Sequence, residues 1–302
     1  MLLPPAVSPG QKLRQLIAKD IVVLPGVFNS ISALAATLVG SKALYLSGAG
    51  VTNSLLGTPD IALITQTEMV TQASYVCQIT PLPVIADADT GYGEAINVMR
   101  TVIEMEKAGL AGIHIEDQVS PKRCGHLDGK EVIPPNEMVQ KVHVACESRK
   151  DPGFLIIART DARAVEGVQS AIDRAKLYQD SGADVIFTEG LESQEEFEAF
   201  RKHLDVPLLA NMTEFGKTPL LSVKQFKDLG YNLVIFPMTA FRVMLKAITN
   251  VYQEILLKGT QHDLLNQMTT RKELYELIEY DTYTELDQKW KNLLETSVKK
   301  DQ

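Results

Sequence analysis

The chain has 302 residues, 45% of them hydrophobic and 23% charged, with a formal net charge of −8 and a pI near 5.3. That balance is ordinary for a globular enzyme and speaks against non-specific nucleic-acid binding. No apolar run reaches the ~20 residues of a membrane helix, and Met1-Leu2-Leu3-Pro4-Pro5 has no basic segment ahead of an apolar one, so neither a span nor a secretory signal is expected. Three unpaired-looking cysteines, Cys77, Cys124 and Cys146, argue against a disulfide framework and for a reducing, cytoplasmic setting. Cys77 and Cys146 fall in helical patterns and read as small buried hydrophobes.

In chain order, β-branched apolar runs occur at Ile21–Phe28, Ala43–Gly48, Leu82–Asp89, Gly112–Asp117, Phe154–Asp161, Asp184–Glu189, Val206–Thr213 and Leu233–Met238. Several are nearly continuous in Val, Ile, Leu and Ala, as in a parallel sheet buried on both faces. Amphipathic stretches alternate with them, among them Ala95–Ala108, Pro135–Arg149, Val168–Ser181, Ser193–Leu204 and Ser222–Leu229. Glycines 109, 182 and 230 suit left-handed caps just ahead of the next strand. Eight such units predict an α/β (β/α)8 TIM barrel. A doubly wound open sheet is the alternative, weakened because no G-x-G-x-x-G follows the first strand. Past the eighth strand the pattern is helical, at Ala240–Lys258, Asp263–Met268, Lys272–Tyr280 and Thr284–Lys299. The reading is one domain, 1–302, with 260–302 a helical extension.

Barrel chemistry lies where strands end. The strand ends carry Ser47-Gly48-Ala49-Gly50, Asp87 and Asp89, Glu116 and Asp117, Arg159 and Asp161, Glu189, and Asn211 with Thr213. Acids inside apolar runs are costly unless neutralised. Several converging ones imply a hard cation, Mg²⁺ or Mn²⁺; salt bridges to Arg159 or Lys122 are the alternative. Ser47 to Gly50 could bring backbone N–H groups against an anion, or simply form a tight turn. Lys122-Arg123-Cys124-Gly125-His126 sets a thiol among cations that would lower its pKa. Pro121, Gly125 and Gly129 mark this segment as a loop. His114, between Ile113 and Ile115, reads as structural, and His143, His203 and His262 as surface or packing residues.

Together with Asp87-Ala88-Asp89-Thr90-Gly91-Tyr92-Gly93, His114-Ile115-Glu116-Asp117-Gln118, Ala158-Arg159-Thr160-Asp161-Ala162 and Asn211-Met212-Thr213-Glu214-Phe215-Gly216, these motifs occur in order from about Leu24 to Trp290. The chain resembles the isocitrate lyase / phosphoenolpyruvate mutase superfamily, and within it the 2-methylisocitrate lyases. Lys-Arg-Cys-Gly-His is the most specific element, and Thr270-Arg271-Lys272-Glu273-Leu274-Tyr275 also fits. Ala49, where a third glycine is common, and Thr188, where a proline is expected before Glu189, depart from the pattern.

The resemblance implies Mg²⁺-dependent cleavage of 2-methylisocitrate to pyruvate and succinate in propionate catabolism. It further implies a homotetramer whose last barrel helix is exchanged with a neighbouring subunit. By the same resemblance Asp87, Asp89 and Glu116 hold the metal, with Asp60 as an outer partner. Ser47, Gly48, Ala49 and Arg159 grip the carboxylate of the nascent keto acid. Gly125, Glu189, Asn211, Met212, Thr213, Arg242 and Arg271 surround the succinyl end. Cys124 is the candidate proton donor, supported by Lys122, Arg123 and His126. Tyr45 or a metal-linked carboxylate is the candidate hydroxyl base, Tyr45 being as readily a packing aromatic. Isocitrate or dimethylmalate cleavage, oxaloacetate decarboxylation, and a non-catalytic dicarboxylate-binding barrel are the alternatives.

Overall fold

The computed structural model describes residues 7–123, 125 and 129–298. Eight parallel strands close a barrel in sequence order: β1 (Val22–Val27), β2 (Leu44–Leu46), β3 (Val84–Asp87), β4 (Gly112–Glu116), β5 (Leu155–Thr160), β6 (Val185–Thr188), β7 (Leu208–Asn211) and β8 (Leu233–Phe236). Each lies inside the apolar run that predicts it. β1 closes on β8 with Val22 opposite Leu233 and Leu24 opposite Ile235. The open-sheet alternative is excluded by that closure.

Alternation along the strands sends every second side chain inward. Val22, Leu24, Tyr45, Ile85, Leu155, Ile157, Val185, Phe187, Leu209, Leu233 and Ile235 form one buried cluster. The same parity carries Asp87 beyond Ile85, Arg159 beyond Ile157, Glu189 beyond Phe187 and Asn211 beyond Leu209. Register then sets Asp87 opposite His114, and Glu116 opposite Arg159.

A helix not expected from the sequence, Pro9–Ile17, is capped by Ser8 and Gln11 in a reciprocal capping box. Its Leu13 joins the barrel cluster, with Leu16 and Ile17 packed against it. Gly10 permits this seat, since a Cβ there would fall 2.3 Å from the Gly153 carbonyl oxygen. The signal Ser8-Pro9-x-Gln11 was present in the sequence.

The chain divides into two compact units, one ending at Val243 and one beginning at Met244. In the second, the helix begun at Thr239 runs on to Lys258, followed by a 3-10 turn (His262–Gln267) and helices Arg271–Leu277 and Tyr280–Val298. The stretch read as helical at Asp263–Met268 is thus the 3-10 turn. Thr270 and Glu273 cap the helix after it reciprocally. Among the described residues no helix is long and apolar enough to cross a membrane.

Candidate active site

A cavity of about 330 Å³ opens at the carboxyl ends of the strands. Tyr45, Ser47, Ala49, Asp60, Asp87, Lys122, Arg123, Gly125, Arg159, Glu189, Asn211, Thr213 and Arg242 line it, so thirteen of the residues selected from sequence meet there. Its apolar wall is Ile61, Phe187, Ile235, Pro237 and Met238.

Ser47 ends the β2 segment and caps a helix, Gly48–Leu56, by accepting from Gly50 N–H at 3.1 Å. The segment read either as an anion-binding loop or as a tight turn is a helix start. The N–H groups of Gly48 and Ala49 head that helix and have no carbonyl partner within it, which suits an anion. Gly48 lies directly against Asp87: a Cβ on it would sit 2.5 Å from Asp87 Oδ2.

Asp87, Asp89, Glu116, Asp161 and Glu189 are all buried, as are the cations Lys122, Lys130 and Arg159. These five carboxyl groups outnumber the three cations. Lys122 Nζ is 2.7 Å from Asp60 and 2.9 Å from Asp89. Burial alone would lower its pKa, but Asp89, Asp87, Glu116 and Asp60 together raise it well above the usual lysine range. Burial pushes Asp89 up to about 6, with Lys122 opposing and Asp87 reinforcing. Glu116 is raised well above its ordinary value by burial, against the pull of Arg159 and Lys122. For Asp87 burial acts upward, yet the cations Lys122 and Arg159 and the Asp89 backbone N–H pull the other way and the net shift is down.

Arg159 is held from behind. Its Nε and Nη2 meet the two oxygens of Asp161 at 2.8 and 3.1 Å, a bidentate clamp. Its Nη1 lies 3.7 Å from Glu189, and the guanidinium stacks 5.1 Å over Phe187. Asp161 is itself fixed by its backbone N–H donating to Asp117 at 2.8 Å and by Lys130 Nζ at 2.9 Å. Asp117 also accepts from Thr160 and Tyr178. This support chain was not assigned from the sequence: Asp161 and Asp117 were visible as strand-end acids, whereas Lys130 gave no signal.

A family model described as phosphoenolpyruvate phosphomutase matches residues 13–256. The chain belongs to the phosphoenolpyruvate mutase family. One relative of it, a 2-methylisocitrate lyase from Aeropyrum pernix, is 55% identical over 284 residues, covering 94% of this chain and 91% of its own. A 2,3-dimethylmalate lyase, named as a PEP mutase/isocitrate lyase superfamily member, superposes with a TM-score of 0.89 at 35% identity over 94% of this chain and 96% of that one. A phosphonopyruvate hydrolase solved with oxalate and Mg²⁺ does so at 0.85 and 26% identity, over 93% and 98%.

The remaining predicted residues fall as follows within this member of the phosphoenolpyruvate mutase family. Asp89 and Glu116 are buried behind the cavity wall. Met212 is buried and bonds through its backbone N–H to Ile235 O at 2.9 Å. Arg123 lies on the wall with its backbone clamped both ways by the Gln118 amide at 2.8 and 2.9 Å. Gly125 approaches Glu189 so closely that a Cβ would come within 2.6 Å of that carboxylate. Arg242 pairs with Glu214 at 3.3 Å. Arg271 starts an exposed helix of the second unit. Cys124 and His126 lie outside the described residues.

The donor set fits a divalent cation. Asp89 Oδ2 and Glu116 Oε1 are buried without a hydrogen-bond donor or cation partner among the described residues, whereas Asp89 Oδ1 lies 2.9 Å from Lys122 and Glu116 Oε2 3.3 Å from Arg159, and every candidate ligand is oxygen. Among the described residues no three His, Cys, Asp or Glu side chains converge on one point to hold an ion unaided. Mg²⁺ commonly takes one or two carboxylates and completes its shell with water and substrate oxygens.

Proposed function

We propose that this chain cleaves 2-methylisocitrate to pyruvate and succinate, within propionate catabolism. The observation that carries the reading is the 55% identity to a 2-methylisocitrate lyase across 94% of the chain, together with a strand-end cavity that combines a helix N-terminus, a clamped arginine and an excess of buried carboxyl groups. The likeness to a dimethylmalate lyase is at 35% identity, which ranks cleavage of that acid second.

The reaction breaks one C–C bond. A base removes the substrate hydroxyl proton, the oxygen becomes the pyruvate carbonyl, and the bonding pair stays on the succinyl carbon, which then takes a proton. Ser47, the Gly48 and Ala49 N–H groups and Arg159 bind the α-hydroxy acid carboxylate, the arginine pre-set by Asp161. Glu189, Asn211, Thr213, Gly125, Arg242 and Arg271 receive the succinyl end. Met212 acts through the backbone that places Asn211 and Thr213. A carboxylate of the buried set takes the hydroxyl proton. Cys124 gives the proton to carbon, with Arg123 and His126 beside it in sequence. Lys122 neutralises Asp60 and Asp89. Mg²⁺, or Mn²⁺ in its place, would be held directly by Asp87, with Asp89 and Glu116 helping directly or through water, and would stabilise negative charge at the hydroxy-acid oxygens.

For assembly we propose a homotetramer in which the last barrel helix packs on a neighbouring subunit, with 260–302 an extension of a single catalytic domain. Support comes from the second unit, whose Leu256 and Leu257 are 85% and 83% exposed, with Tyr252, Tyr283 and Trp290 also exposed. A cytoplasmic location follows from the same metabolic role.

The test is pyruvate release from 2-methylisocitrate beside glyoxylate release from isocitrate, each with Mg²⁺ or EDTA. Faster, EDTA-sensitive turnover of the methylated acid is expected. Turnover of dimethylmalate or oxaloacetate alone would transfer the assignment to those acids, and a monomer by light scattering would remove the tetramer.

A further inference from the structure

His114 is fully buried on β4 with no water-accessible surface. Its Nε2 lies 2.9 Å from Tyr45 Oη and 3.6 Å from Asp87 Oδ1. Its Nδ1 has no hydrogen-bond partner among the described residues. The ring is fixed on two sides, stacked on Tyr45 at 5.8 Å and edge-on to Phe187 at 5.2 Å. Among the described residues His114 is also the sole hydrogen-bonding partner of the Tyr45 hydroxyl, and Tyr45 lines the cavity.

Hydrogen-bond geometry decides where the ring proton sits. A buried N–H left without an acceptor is rarer and costlier than an unused lone pair, so the orphaned Nδ1 is the bare nitrogen and the proton is on Nε2, which has Tyr45 Oη within reach. With the proton on Nε2, the nitrogen donates to Tyr45 Oη. The phenol cannot then spend its own hydrogen on the imidazole, and that hydrogen is free to face the cavity.

We propose that His114 is a positioning residue: it donates from Nε2 to Tyr45 Oη and so commits Tyr45 to serve as a hydrogen-bond donor to a substrate oxygen. The role of base considered for Tyr45 from the sequence is thereby replaced by a donor role. The substrate in this statement rests on the lyase reading above, but the tautomer does not.

The test has two arms. In the first, the full chain carrying ¹⁵N-histidine is examined by NMR at pH 7.5, with His114 assigned by elimination using variants of His126, His143, His203 and His262. A proton on Nε2 is expected; a proton on Nδ1, or on both nitrogens, overturns the proposal. In the second, Tyr45→Phe and His114→Met each lower kcat ~10²-fold, the usual scale for losing one pre-set donor. The double variant loses no more than either single one. His114→Gln, which keeps an N–H at the position of Nε2, recovers most of the rate. Multiplicative losses in the double variant, or a His114→Met enzyme of wild-type kcat, overturn it. Absence of pyruvate from the unaltered chain would sink the lyase reading and leave the NMR arm to decide the tautomer.

Discussion

Lys122 Nζ bridges Asp60 Oδ2 at 2.7 Å and Asp89 Oδ1 at 2.9 Å while only 3% exposed. From its place beside Cys124 the sequence reading gives Lys122 to the thiol. Asp60 and Asp89 both belong to the acidic side of the cavity, and pairing there is what the sequence reading gives as its alternative. Lys122→Met leaves Asp89 buried and unpaired, so a loss of ~3–5 kcal/mol in unfolding free energy is expected. Urea denaturation measures it. Asp60→Asn should cost less, because the Asp60 side chain retains 15% exposure and can rely on water.

The excess of buried carboxyl groups predicts stabilisation by a divalent cation. At 100 times its dissociation constant, Mg²⁺ should add ~2.7 kcal/mol to stability, seen as a rise in Tm over the EDTA-treated chain. Asp87→Asn should abolish most of that rise. An equal rise in the variant would place the ion elsewhere.

Thiol reactivity separates the cysteines. Burial pushes Cys77 up to about 12 and Cys146 up to about 11, so neither is a thiolate at pH 8. A disulfide reagent at that pH is expected to find one fast thiol in the folded chain, and none in Cys124→Ser. Fast reaction of the serine variant would contradict the packing of Cys77 or Cys146.

Gly48 is needed for space. A Cβ there meets Asp87 Oδ2 at 2.5 Å, so Gly48→Ala must displace that carboxylate. Turnover should fall ~10²-fold, since displacements of about 1 Å have that effect, while Tm stays near the parent because alanine favours a helix start over glycine. Unchanged turnover would mean that Asp87 does not need its present position.

The sequence by itself determined the eight strands, because continuous Val, Ile and Leu runs are stable only between two buried faces. It also marked the strand-end residues, since acids such as Asp87 and Glu116 within such runs demand a partner. Two kinds of information were absent from it. Local patterns name the charges but not their pairing, which depends on barrel closure and register: Lys122 reaches Asp60 across 62 positions of sequence, and Lys130 reaches Asp161 across 31. Nor does a lone histidine between isoleucines declare its partner. Only the register that sets Asp87 opposite His114 and the inward parity of Tyr45 on β2 bring the three side chains together, because closure of the sheet, not proximity in sequence, decides which inward groups share the barrel mouth.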